Sequence, residues 1–99
     1  SAFAIRQPYM GNLPPVARLG VPQLKMNDGP SGFRTYPFPN GSMDATGTTT
    51  AFPSPLALAA TWDEGVVART AAAIAREFRA KGANVMFGPA VQVQRVAAS

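Results

Sequence analysis

Two residue types are missing altogether: the 99 residues contain no cysteine and no histidine. Their absence excludes disulfide frameworks, Cys/His zinc sites, thiol nucleophiles and every Ser-His or Cys-His dyad. Acidic groups are scarce too, five Asp and Glu against nine Lys and Arg. Any chemistry must run on those few carboxylates, on Lys, Arg, Tyr or hydroxyls, and no metal or cofactor is expected. Nor is there an uninterrupted apolar stretch near the 18 or so residues that cross a bilayer, so no transmembrane segment is expected. The opening SAFAIRQP lacks the long apolar centre of a signal peptide and begins at Ser1 rather than Met, which reads as a processed or excised segment. The length suits one small domain with a core but little stability to spare.

The net charge of +4 invites a nucleic-acid reading. The basic residues are dispersed, however, without a basic cluster, an aromatic RNA-binding signature or a recognition-helix pattern. A solvated, Arg-bearing surface is the expectation, with no nucleic-acid partner.

Order increases along the chain. Residues 1–22 contain Pro8, Pro14, Pro15 and Pro22 and cannot hold a regular helix, because proline removes a donor and clashes with the preceding turn. They are expected to form an extended arm, with the remaining unit over 23–99. Gln23 to Asn27 is a short strand candidate. Asp28 to Ala51, rich in Gly, Pro, Ser and Thr, is a loop of about two dozen residues, a length uncommon in compact domains unless the loop has a function or stays disordered.

The clearest structural text is LALAATWDEGVVARTAAAIAREFRAKGANVMFGP, which starts at Leu56. Thr61 followed by Glu64 has capping-box spacing. Val67, Ala71, Ile74 and Phe78 fall within about 60° of one another around a helix, with Arg69, Arg76 and Arg79 on the other side. Glu77 and Lys81 are a favourably oriented pair four residues apart, and Gly82 is a stop signal. The spacing predicts a helix over Asp63 to Ala80. Leu56 to Ala60 and Asn84 to Phe87, apolar at every position but Asn84, read as neighbouring strands buried on both faces. Strand, helix, strand is the right-handed crossover of a parallel sheet, so the fold class is α/β.

Parallel sheets place their chemistry at the carboxyl ends of strands, where Asp28 and Gly88-Pro89 both fall. Asn27-Asp28-Gly29-Pro30 is equally good turn chemistry with no function. On spacing alone, whether Asp28 turns a corner or grips a ligand stays open.

Three blocks bear on that choice: RLGVPQLKMNDGPSGFR from Arg18 to Arg34, GTTTAFPSPLALAATWD from Gly47 to Asp63, and EFRAKGANVMFGPAVQVQR from Glu77 to Arg95. In order and spacing they closely resemble three consecutive blocks near the start of glycoside hydrolase family three, the family of β-glucosidases and related exo-acting enzymes. The resemblance implies the opening of a (β/α)8-type barrel, here a partial one with parallel strands, one crossover helix and a long Pro/Gly-rich arm and loop. It implies retaining glycoside hydrolysis by an aspartate nucleophile and a second acidic residue. It also implies that Asp28 hydrogen-bonds hydroxyls of the sugar in the first subsite, a task suited to an acceptor-only carboxylate. Arg34 closes the same block, as a brace for the loop or a neutralising partner for Asp28.

Two departures from the family pattern stand out. The Asn-Gly-Arg-Asn segment that normally follows the third block is replaced by Val96-Ala97-Ala98-Ser99, and the Lys-His pair and nucleophilic aspartate are not present. The other carboxylates do not stand in: Asp63 and Glu64 fit helix capping, Glu77 fits a surface pair, and Asp44 lies in the loop without a recognisable partner. No catalytic residue is therefore assigned. Gln92 and Gln94 also alternate with apolar residues after Gly88-Pro89, as if one face there met solvent or a partner. Three readings follow: a fragment of a full-length hydrolase, a short noncatalytic structural subunit docked in a larger assembly, or a carbohydrate-binding module. The first two require that the remainder of the barrel, or other protein subunits, cover Val67, Ile74 and Phe78, with carbohydrate a ligand of the full-length form. Asn40-Gly41-Ser42 is a glycosylation sequon, in keeping with a secreted or lumenal route if the family resemblance carries over.

Overall fold

The computed structural model describes residues 9–35, 47–93 and 95. A three-stranded sheet in the order β1-β2-β3 is built from β1 (Gly11–Leu13), β2 (Leu24–Asp28) and β3 (Val85–Phe87). β1 runs antiparallel to β2, and β3 runs parallel to it. Parallel neighbours need a long crossover. Here it carries α1 (Pro55–Ala59) and α2 (Glu64–Ala80).

The parallel pair exists, but its first member is β2 and not Leu56 to Ala60, which forms α1. The local chemistry explains the correction. Ser54 is the N-cap, its Oγ accepting from the Ala57 amide at 3.2 Å, and Pro55 occupies the first turn, where a missing N–H does no harm. The apolar run behind it is Leu and Ala, strong helix formers without β-branching.

The long helix falls where its period places it, but its cap shifts. Asp63, not Thr61, is the N-cap, its Oδ1 accepting from Val66 N at 3.0 Å. Thr61 instead donates to Leu58 O at 2.7 Å and accepts from Asp63 N, closing the turn between the helices. Trp62 sits in that turn at φ 53° and is 94% exposed. At the other end Gly82 takes φ 81°, and Ala83 N bonds back to Phe78 O at 3.0 Å. That left-handed stop suits glycine, which has no Cβ to strain there.

The core is a small cluster of Phe33, Ile74, Phe78 and Ala83, with Tyr9 and Phe52 packed against it. The Phe33 and Phe78 rings meet edge-on with centroids 5.1 Å apart. Of the three helix residues expected to need outside cover, Ile74 and Phe78 are buried within the chain and only Val67 stays open, 41% exposed. The reason is that the loop after β2 and the segment before α1 fold back over the C-terminal half of α2. Earlier in the chain, Gly11 to Leu13 pairs antiparallel with Leu24 to Met26 of β2.

Gly29 fits this packing. A Cβ at that position would stand 2.7 Å from Cε2 of Phe78 and 3.0 Å from Cγ of Met86. The glycine of the Asp-Gly-Pro turn is there for space. In a full-length protein carrying this segment, Gly29→Ala is expected to destabilise by about 1–3 kcal/mol through overpacking. Thermal unfolding reads this as a lowered midpoint, and an unchanged midpoint would mean that Phe78 steps aside without cost.

Tyr9 ties the chain just before β1 to the end of α2 by donating its hydroxyl to Lys81 O at 2.7 Å. Burial raises the Tyr9 pKa above its ordinary value, since the phenolate would be desolvated. The folded state thus holds the proton more tightly than the unfolded one. The contribution is complete below about pH 10 and declines as pH rises through the raised folded value. In a full-length protein carrying this segment, Tyr9→Phe should cost about 1 kcal/mol at neutral pH. It should also flatten the alkaline limb of the stability profile; parallel alkaline limbs would contradict it.

Candidate functional site

Asp28 is the last residue of β2, in register with Phe87 at the end of β3, while Asn27 is in register with Met86. Successive strand residues point to opposite faces and paired residues share one. Asp28 and Phe87 therefore share a face, and Asn27 and Met86 share the other. Met86 lines an apolar groove with Leu58, Val67 and Ile74, so the Asp28 face is the one turned away from α2.

Beyond Asp28 the chain closes a tight loop. Gly32 N donates to Gly29 O at 3.2 Å, Arg34 N to Asp28 O at 3.4 Å, and Asn27 Nδ2 to Arg34 O at 2.8 Å. The loop brings Arg34 Nη1 to 3.7 Å from Asp28 Oδ2, with side-chain exposures of 68% and 32%. At that distance and exposure the pair holds by charge, screened by solvent, and contributes little to stability. Both groups line an open cavity of about 590 Å3 together with Thr35, Thr49, Thr50 and Phe87.

The threonine wall is held in place by α2. Thr50 N donates to Glu77 Oε1 at 3.0 Å, Lys81 Nζ donates to Thr48 O, and Phe52 N reaches Ser31 O at 3.0 Å. Glu77 and Lys81, which the sequence pairs on the helix surface, both reach across to the loop. This strap joins residues 27 apart or more, and no local pattern announces it. Asn27 and the threonines are the other parts of the site that sequence reasoning passes over. Asn40 lies outside the described residues.

Among the described residues Asp28 is the only acidic group lining the cavity. One carboxylate beside a guanidinium and several hydroxyls can bind and orient a polyhydroxylated ligand. It cannot supply both a nucleophile and an acid, which must flank the bond to be cleaved. Among the described residues no group of three or more metal-ligating side chains comes together, and no helix is long and apolar enough to cross a membrane.

The chain resembles known proteins over most of its length. A beta-glucosidase of Rhizobium radiobacter is 38% identical over 80 residues, 81% of this chain and 9% of that protein. A probable beta-glucosidase I of Emericella nidulans is 41% identical over 80 residues, again 81% and 9%. The thermostable beta-glucosidase B of Acetivibrio thermocellus is 36% identical over 83 residues, 82% and 11%. The chain thus spans about a tenth of the length of the relatives it matches. No solved structure matches it. The family model of the glycosyl hydrolase family 3 N-terminal domain matches residues 34–99, from the end of the Asp28 loop onward. With that match over two thirds of its residues, the chain belongs to the glycosyl hydrolase family 3 N-terminal domain.

Proposed function

We propose that this segment is the sugar-gripping start of a retaining, exo-acting β-glycosidase barrel, with Asp28 accepting hydrogen bonds from hydroxyls of the sugar in the first subsite. The observation that carries this reading is the position of the Asp28 carboxylate. It stands at the carboxyl end of a parallel strand, on the face away from the helix, at an open cavity walled by hydroxyls. That is where strands of such barrels present their chemistry. Arg34 braces the loop and keeps positive charge beside the carboxylate.

The nucleophile and the proton donor belong, in this reading, to the nine-tenths of the relatives' length that the segment does not cover. Residues 1–22 act as an arm, and 23–99 as the first βα units. The exposed groove of about 250 Å3 between α1, α2 and β3 supports the same view, because Leu58, Val67 and Met86 form a seam for further barrel elements. The substrate class is a β-glucoside, by analogy with the relatives' names. The test is turnover of an aryl β-glucoside by a full-length protein carrying the segment, and its loss on Asp28→Ala.

A further inference from the structure

Asn27 is the one polar side chain among the described residues that is fully buried. It precedes Asp28 on the opposite face of β2, and its Nδ2 donates to the Arg34 carbonyl at 2.8 Å. The bond ties the end of the strand to the far end of the Asp28–Arg34 loop. The backbone bond that closes the same loop, Arg34 N to Asp28 O, is longer at 3.4 Å.

As a stabiliser Asn27 is poor. Its Oδ1 is buried without a hydrogen-bond partner among the described residues. An orphaned buried acceptor costs about as much as the one bond made by the other end of the amide contributes. A leucine keeps the branched outline, at a somewhat larger volume, without that cost. What leucine cannot do is hold a carbonyl.

We propose that Asn27 is a positioning residue: by clamping the Arg34 carbonyl it keeps the Asp28–Arg34 loop shut and so fixes where the Asp28 carboxylate and the Arg34 guanidinium stand in the cavity. This rests on the reading of Asp28 as a sugar-binding group and names the device that aims it. The clamp works from the helix side of the sheet and touches no sugar.

The experiment compares Asn27→Leu, Asp28→Ala and the double variant in a full-length protein carrying the segment, measuring kcat and KM on an aryl β-glucoside together with the unfolding midpoint. Asn27→Leu is expected to lower kcat/KM on the order of tenfold while the midpoint moves by less than about 3 °C. In the Asp28→Ala background the same change should alter kcat/KM by less than about twofold, because the carboxylate that binds the sugar is gone and Arg34 serves only to brace it. If the leucine variant does not fold, Asn27→Ser, which leaves a small void instead of a mismatched shape, is measured in both backgrounds with the same expectation. Equal losses in the two backgrounds overturn the proposal, as does full activity in Asn27→Leu. Loss in Asp28→Ala with an unimpaired Asn27→Leu removes the clamp alone. Full activity in Asp28→Ala removes the sugar-binding reading and the clamp with it.

Discussion

Asp28→Ala is expected to lower kcat/KM for an aryl β-glucoside by roughly thirty- to a thousand-fold in a full-length protein carrying this segment, equivalent to about 2–4 kcal/mol of transition-state stabilisation. The carboxylate is held at the end of β2 and is only 32% exposed before any sugar arrives. In the proposed role a bound sugar would displace the remaining solvent, and charge-assisted bonds from two hydroxyls would then act in a site of lower dielectric. Those bonds would strengthen as the ring flattens toward the oxocarbenium-like transition state, so the loss is expected on kcat as well as KM. Asp28→Asn keeps the shape and gives up the charge, and it should lie between wild type and alanine. Unchanged kcat/KM in the alanine variant would return Asp28 to turn chemistry.

The 99-residue chain by itself is expected to show neither glycoside turnover nor a cooperative thermal transition. Catalysis by the retaining route needs two carboxyl groups roughly 5 Å apart across the sugar. Asp28 is the only acidic group lining its cavity among the described residues, while Asp63 caps α2 and Glu77 straps the threonine wall. Stability points the same way. Only four apolar side chains among the described residues are buried, whereas Leu56, Trp62, Val91 and Val93 are each more than 70% exposed. So small a core does not offset the conformational entropy of ordering a long loop and arm. Calorimetry on the purified monomer and an assay freed of contaminating hydrolases check this. A sharp unfolding transition, or turnover that survives purification, would contradict it.

Where the sequence was read correctly, the signal was local. The 3.6-residue period of Val67, Ala71, Ile74 and Phe78 places the long helix, and Gly82 ends it where a left-handed residue is needed. Where it misled, two local signals competed. The apolar run at Leu56 to Ala60 has strand length, yet the Ser54-Pro55 start makes it a helix. Thr61 and Glu64 have the spacing of a capping box, yet Asp63 lies closer to the first turn and takes the amide.

By itself the sequence determined the α2 helix, the strand leading into the Asp28 turn to within a residue at each end, and the family-like blocks, because each depends on neighbours within a turn or two of chain or on runs of residue identity. Only the tertiary structure decided that β2 is the partner of β3, that Gly29 makes room for Phe78, and that Asn27 is buried on the face opposite Asp28. It alone showed Glu77 and Lys81 reaching across to the wall of the Asp28 cavity. The physical reason is separation: strand pairing, close approach and burial join residues tens of positions apart, and their energies depend on which surfaces meet, a quantity that no local pattern carries.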